Sequence, residues 1–427
     1  MEGPLALAVG GSAPTPVRSV LRTTPLGRLM GRIGSAPRHL DVLVVAAIAT
    51  LVYLLTAPDR QDLDYFVRLA DAFLQGRIYL TESPSWLNEL VPKDGVFYVV
   101  YPPMPAILLM PFVAIFGTDF PQQAASCLFG GISVGLAWAL FGRFALTPRA
   151  RLFLTAVFGL GTVLWYVSEV GSGWYISHAA AVMFMTASLN LAFERRWPWA
   201  VGFLLGCAAV SRLPVGLAAP GVLAILLGLG WPIRLPEDRA LAFRRILAFG
   251  LGIGVPAAAY FAYNLIRWGT LSDQGYTLIP GVLEDPIYAK HGLLALEYIP
   301  RHVHAIFLRS WNYVDDAPFF QPNWWGLSLF LTTPLFLWLV KARLRDPRVL
   351  FATLGTAIVL LPIITHGNVG ISQFGYRFSL DFQPFLFVIL ATVFERGLTR
   401  LAAVAGVLAI AINAYAIWAI SIGFVSY

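Results

Sequence analysis

From Asp41 to the end of the chain, apolar runs follow one another almost without pause, broken by short charged or Pro/Gly-containing turns. A helix that crosses a bilayer needs about 20 mostly apolar residues, with a range of roughly 17 to 25. Eleven segments come close to that: 41–57, 123–142, 152–168, 176–193, 198–211, 213–230, 246–266, 323–340, 349–365, 381–395 and 401–422. Inside hydrocarbon every backbone N–H and C=O must find a partner within the protein, which leaves the helix as the structure such runs can adopt. Only 12% of the residues are charged and 58% are hydrophobic, against roughly a quarter charged in soluble domains. The expectation is an all-α polytopic membrane protein with about 11 transmembrane helices, forming a single domain over 41–427.

Charge sets the expected topology. Residues 1–40 are rich in Gly, Pro, Ser and Arg and hold no long apolar run, so they read as a disordered basic tail on the cytoplasmic side, without the compact apolar core of a signal peptide. The segment 102–117, PPMPAILLMPFVAIFG, is short and carries prolines at 102, 103, 105 and 111. If it lies in the interface and does not cross, the short loops at 143–151, 194–197, 231–245, 341–348 and 396–400 share the side of the tail. Most of the 30 Lys and Arg residues then sit inside and most of the 23 Asp and Glu residues outside, as the positive-inside tendency requires. Two long segments, 58–122 and 267–322, become outer loops too long to be mere connectors. The expected location is the plasma (inner) membrane, multi-pass, with the N-terminus cytoplasmic and the working surface extracytoplasmic.

Several chemistries find no support. Cys127 and Cys207 stand inside apolar runs, so neither a disulfide framework nor a CxxC site is offered. The six histidines show no HExxH-type spacing. No Gly-rich phosphate loop occurs in a βαβ setting. The net charge of +7 is spread between hydrophobic segments and not along one face, which fits membrane topology better than nucleic acid.

Polar candidates gather at the expected outer ends. Asp59, Asp62, Asp64, Tyr65, Arg68 and Asp71 open the first long loop. A carboxylate at the mouth of a bundle serves as a general base, holds a cation, or merely ends a helix. Arg377 stands four residues before Asp381, so it either pairs with that carboxylate at i,i+4 or meets an anion. Arg212, in the turn Ser211–Arg212–Leu213–Pro214, must snorkel, pair or face a polar cavity. Glu169 and His178 flank Gly171–Ser172–Gly173–Trp174, where they cap helices or orient a ligand. Tyr263, Asn264, Asp273, Tyr276 and His291 lie at the second long loop; tyrosine and asparagine bind sugar hydroxyls or anchor helices at the interface.

The stretches DLDYFVRLADAFLQGRIYL, YVVYPPMPAILLMPFVAIFG, SRLPVGLAAP, YNLIRWGT and QFGYRFSLDFQPF together resemble the GT-C superfamily of membrane glycosyltransferases. The resemblance covers most of 41–395 and implies sugar transfer from a polyprenyl-phosphate carrier to a glycan, lipid or protein acceptor outside the cytoplasm. It places the general base at Asp64, with Asp62 second, and matches Pro102–Pro103 to a Pro-Pro element leading into a surface helix. By position and by the fit of a guanidinium fork to phosphate, Arg377 and Arg212 are the candidates for the donor phosphate, and Tyr65, Tyr101, Glu169, His178, Tyr263, Asn264, Tyr276 and Tyr376 those for sugar or acceptor. A divalent cation bridging Asp62 or Asp64 to the phosphate is the one cofactor left open. The rival class is a transporter or lipid flippase, which would show two related halves with broken helices around a midplane site; no such repeat is visible in the sequence.

Overall fold

The computed structural model describes residues 38–58, 63–234, 236–323 and 325–422. The candidate base Asp62 and almost all of the basic tail lie outside the described residues. Helix α1 (Arg38–Thr56) leads to the first long loop, which holds α2 (Tyr65–Leu74), the hairpin β1–β2 (Leu90–Lys93, Val96–Val99) and α3 (Met104–Phe116). There follow α4 (Gln122–Phe141), α5 (Pro148–Leu160), α6 (Leu164–Val170), α7 (Tyr175–Glu194), α8 (Pro198–Ser211), α9 (Ala219–Leu227) and α10 (Arg239–Trp268). The second long loop contains α11 (Ile299–Phe307) and the short ribbon β3–β4 (Asn312–Tyr313, Phe320–Gln321). The chain then forms α12 (Leu329–Thr332), α13 (Pro347–Ile364), α14 (Gln383–Phe394) and α15 (Arg400–Ser421).

The chain is a multi-pass membrane protein. Among the described residues α4, α7, α10, α13 and α15 are long and apolar enough to cross, and α5 with α6, bent by 46° at a break, adds a sixth if the pair is one span. Length and composition thus give five helices, or six with the bent pair, that can cross. Most other expected segments are apolar helices too short by that measure, but 323–340 departs in kind. It consists of the four-residue α12 and a 3₁₀ stretch, Pro334–Lys341, because Pro334 has no N–H to continue the preceding helix. At 13 residues, α3 reaches about 20 Å at 1.5 Å per residue, short of the ~30 Å hydrocarbon core.

Caps fix where helices begin. Side-chain oxygens of Thr147, Asp238, Asp346 and Thr399 accept from the backbone N–H of Ala150, Leu241, Arg348 and Ala402, which satisfies donors that the first turn leaves free. At the α5–α6 break, the freed carbonyls of Gly159 and Gly161 accept from the hydroxyls of Tyr53 and Thr333 at 2.7 and 2.8 Å. The break is therefore satisfied by neighbouring segments, as irregular backbone in a membrane must be.

Small residues set the closest helix contacts. A Cβ on Gly202 of α8 would lie 2.0 Å from the Phe249 carbonyl oxygen, and one on Gly252 of α10 would lie 2.1 Å from that of Trp199. The two glycines let these backbones meet, the arrangement that small-residue spacing gives in membranes. Gly252→Leu should push α10 off α8 and lower stability by about 1–3 kcal/mol or more, the range for overpacking. Thermal unfolding in detergent measures it, and an unshifted midpoint would show that the crossing has slack.

The first long loop is a packed body. Tyr65, Phe66 and Leu69 of α2, Val99 of the hairpin and Leu109 of α3 form one buried cluster with Phe129 of α4 and Ile176 and Ala180 of α7. Asp94 and Gly95 make the hairpin turn with φ of 53° and 78°, both in the left-handed region that a two-residue primed turn requires. At the end of α10 the fully buried Arg267 donates to the Val99 carbonyl at 2.7 Å and to Asn264 Oδ1 at 2.8 Å. The Tyr263 and Trp268 rings lie 3.8 and 4.7 Å from its guanidinium carbon. Lys93 Nζ donates to the Arg267 carbonyl at 2.8 Å, so α10 holds both strands of the hairpin.

Candidate functional site

Both long loops and the segments around Arg212 and Arg377 converge on one cavity of about 340 Å³. The volume is within the range of ligand pockets, roughly 300–1,000 Å³. The β1–β2 hairpin delivers residues from both its ends, Glu89 just before β1 and Tyr101–Pro102 just after β2. The second loop contributes Asp273 and Tyr276, and the stretch after α13 contributes His366 and Asn368. Leu213, Pro214, Leu294 and Pro362 form an apolar side, on which Leu213 and Leu294 are exposed.

Arg377 opens a 3₁₀ stretch, Arg377–Asp381, and is buried. Its Nη1 donates to the Ile371 carbonyl at 2.6 Å and to Gln373 Oε1 at 3.3 Å, while its Nε finds no acceptor. The rings of Trp174, Tyr175 and Phe378 surround the guanidinium at 5.3, 5.6 and 5.0 Å. Among the described residues it forms no ion pair, and of the two alternatives the i,i+4 pairing with Asp381 does not occur.

Asp381 is taken by Arg212 instead. Arg212 ends α8 in extended backbone, and its Nη2 and Nε donate to Asp381 Oδ2 and Oδ1 at 3.0 and 3.3 Å. His178 Nδ1 lies 3.1 Å from the same Oδ1. Arg212 is thus both a cavity residue and half of a buried ion pair, so of the two cavity guanidiniums Arg377 is the one without a carboxylate partner among the described residues. Unpaired buried charge is costly, which makes this a place for an anion.

Glu89 is the carboxylate nearest in kind to that role's counterpart. Its Oε1 accepts from the Tyr276 hydroxyl at 3.3 Å, and its Oε2 is buried without a partner. Its backbone N–H donates to the Tyr65 hydroxyl at 2.9 Å. Burial pushes the Glu89 carboxyl up to about 7, against the pull of the Tyr276 hydroxyl and of Arg377. Asp273 faces the cavity too, with one oxygen accepting from Gly275 N–H at 3.0 Å.

The expected site residues divide into two groups. Arg212, Arg377, Tyr101 and Tyr276 line the cavity. Asp64, Tyr65, Glu169, His178, Tyr263, Asn264 and Tyr376 do not. The Asp64 carboxylate is held by Arg68 Nε at 3.0 Å and Trp86 Nε1 at 3.2 Å, at the head of α2. Tyr65 packs edge-on to Tyr101 at 5.3 Å, one layer behind the lining. Glu169 accepts from Thr56 at 2.9 Å, and His178 has gone to Asp381, so the two do not act together. Tyr263 and Asn264 belong to the Arg267 latch, and the Tyr376 hydroxyl bonds His302 Nδ1 at 2.7 Å. Among the described residues no three His, Cys, Asp or Glu side chains are grouped to hold a metal ion. Sequence reasoning did not reach Glu89; Lys93–Asp94–Gly95 between two β-prone strands was the available signal for the hairpin that places it.

No protein-family model and no curated protein matches the sequence. Among solved structures, the chain is similar to ArnT from Cupriavidus metallidurans. The match to its apo state has a TM-score of 0.52 at 16% identity, and the match to its complex with undecaprenyl phosphate has 0.50 at 13%. In each, 88% of this chain is covered, and the chain spans 63% of the ArnT length.

Proposed function

With the GT-C fold as the premise, we propose that this protein is a glycosyltransferase that moves a sugar from a polyprenyl-phosphate carrier to a glycan, lipid or protein acceptor at the extracytoplasmic face of the inner membrane. The observation that carries the proposal is Arg377, a buried guanidinium without a carboxylate partner at the wall of a cavity. Its planar set of donors suits phosphate oxygens, and Arg212 adds the donors that Asp381 leaves free. The polyprenyl tail leaves over the exposed Leu213 and Leu294, between the 3₁₀ stretch Leu213–Ala218 and α13. In this reading all eleven apolar segments cross, 323–340 through α12 and its 3₁₀ stretch and not as one α-helix, α3 lies in the interface, and the Asp/Thr-capped loops face the cytoplasm.

The phosphate ester is the leaving group. As the anomeric C–O bond breaks, negative charge grows on the phosphate, and a fixed guanidinium in a water-poor wall stabilises that charge more than it stabilises the intact donor. Attack from the opposite face inverts the anomeric configuration. The resemblance gives the proton of the acceptor to Asp64, with Asp62 second and a divalent cation as an optional aid. The function is tested by supplying purified protein in nanodiscs with undecaprenyl phosphate linked to glucose, mannose, galactose or arabinose, together with cell-envelope extract as acceptor. Radiolabel should pass from at least one donor, and the released undecaprenyl phosphate should remain bound in native mass spectra. No transfer from any of the donors would overturn the reading.

A further inference from the structure

The cavity holds a feature that phosphate binding leaves unused. Glu89 Oε2 is buried, has no hydrogen-bond partner, and belongs to a cavity residue on the same wall system as Arg377. A buried carboxylate oxygen without a donor is costly unless something fills the gap. An incoming hydroxyl group does so: it donates to Oε2 and leaves its oxygen free to react. The other oxygen, Oε1, is fixed by Tyr276, and the backbone N–H of Glu89 is fixed by Tyr65. The carboxylate is therefore aimed before substrate arrives.

We propose that Glu89 is the catalytic base of the transfer, taking the acceptor's proton on Oε2, while Asp64 is a positioning residue that secures the head of α2. The assignment rests on the glycosyltransferase reading above. In the step, the acceptor O–H proton passes to Glu89 Oε2 and the acceptor oxygen bonds to the anomeric carbon. The anomeric C–O bond to phosphate breaks, and its electron pair leaves with the polyprenyl phosphate that Arg377 holds. Atoms and charge balance without a further reactant. A general base must come within about 2.6–3.2 Å of its proton or reach it through one water, and a cavity-lining carboxylate meets that condition more directly than one engaged with Arg68 and Trp86 outside the cavity lining.

A carboxyl that titrates near neutrality is suited to this work, because its basicity matches the operating pH. Glu89, pushed up to about 7 by burial, is protonated and idle below that pH and ionised above it. Tyr276 and Arg377 act on it directly; Asp273 from the second loop, His366 from the late segments and Tyr101 from its own loop line the same cavity, and the Tyr65 hydroxyl accepts from its backbone N–H. Tyr288, hydrogen-bonded to Tyr276, feels the Glu89 charge, and Arg212 lines the same cavity.

The test uses full-length protein in nanodiscs with whichever of the four undecaprenyl-phosphate sugars the wild type accepts. Glu89→Gln should lower transfer by about 100-fold or more, in the range that general-base catalysis supplies, while retaining undecaprenyl phosphate in native mass spectra. Wild-type kcat/KM should rise with pH through about 7, and the residual rate of the variant should lose that rise. Asp64→Asn should cost less than tenfold and keep the rise. Transfer by Glu89→Gln within a few fold of wild type, or an Asp64→Asn variant that alone loses the pH rise, overturns the Glu89 assignment and leaves the glycosyltransferase reading intact. No transfer from any donor by the wild type overturns both.

Discussion

Replacing Arg377 by glutamine is expected to remove undecaprenyl phosphate from native mass spectra of the purified protein and to cut sugar transfer by about 100-fold or more. The magnitude follows from the loss of one fixed donor to a developing anion, typically worth 10²–10³ in rate. The variant should fold. Glutamine retains a donor for the Ile371 carbonyl, and what disappears is a buried positive charge that no carboxylate neutralises. Arg377→Lys should recover part of the binding, because an ammonium supplies charge without the fork. A glutamine variant that keeps both lipid and transfer would mean that the phosphate sits elsewhere.

The second large effect concerns stability. Asp381 is fully buried in its side chain, and its two oxygens receive Arg212 and His178. Asp381→Ala should destabilise the protein by about 3–5 kcal/mol, the usual result of removing one partner of a buried pair. Arg212 would lose its carboxylate with only a fifth of its side chain reaching solvent. The Arg212→Leu/Asp381→Leu double variant should lose less than the single one, since an apolar pair leaves no stranded charge. Thermal unfolding of the three proteins in one detergent measures this. Equal midpoints for wild type and Asp381→Ala would show that water reaches the pair.

The sequence-to-structure comparison separates by the range of the information used. Helices were legible because their signal is local: apolar length, prolines at 198, 347 and 384, and Thr or Asp caps such as Thr399 all lie within a few residues of the helix they define. The segment 323–340 misled because hydropathy records an apolar run, whereas Pro334 and Thr333 decide whether it continues as an α-helix. Arg212 and Arg377 were singled out since a guanidinium among apolar residues demands a partner. Which one kept Asp381 depended on a 169-residue separation that sequence spacing does not encode, so the near pair at i,i+4 stayed open beside anion binding. Glu89 escaped notice for the opposite reason. Nothing in its neighbours marks it as buried; Tyr276, 187 residues on, and the Asp94–Gly95 turn together create its environment.

The Arg267 latch makes the cavity sensitive to places far from it along the chain. Val99 and Lys93 bond to α10, and the same hairpin carries Glu89 at one end and Tyr101 at the other. Any tilt of α10 in a thinner or thicker bilayer would be transmitted through Arg267 as a displacement of the hairpin against Arg377. Bilayer thickness thereby becomes a control variable: the same polypeptide reconstituted in short-chain and long-chain lipids would differ in turnover while its fold stayed intact.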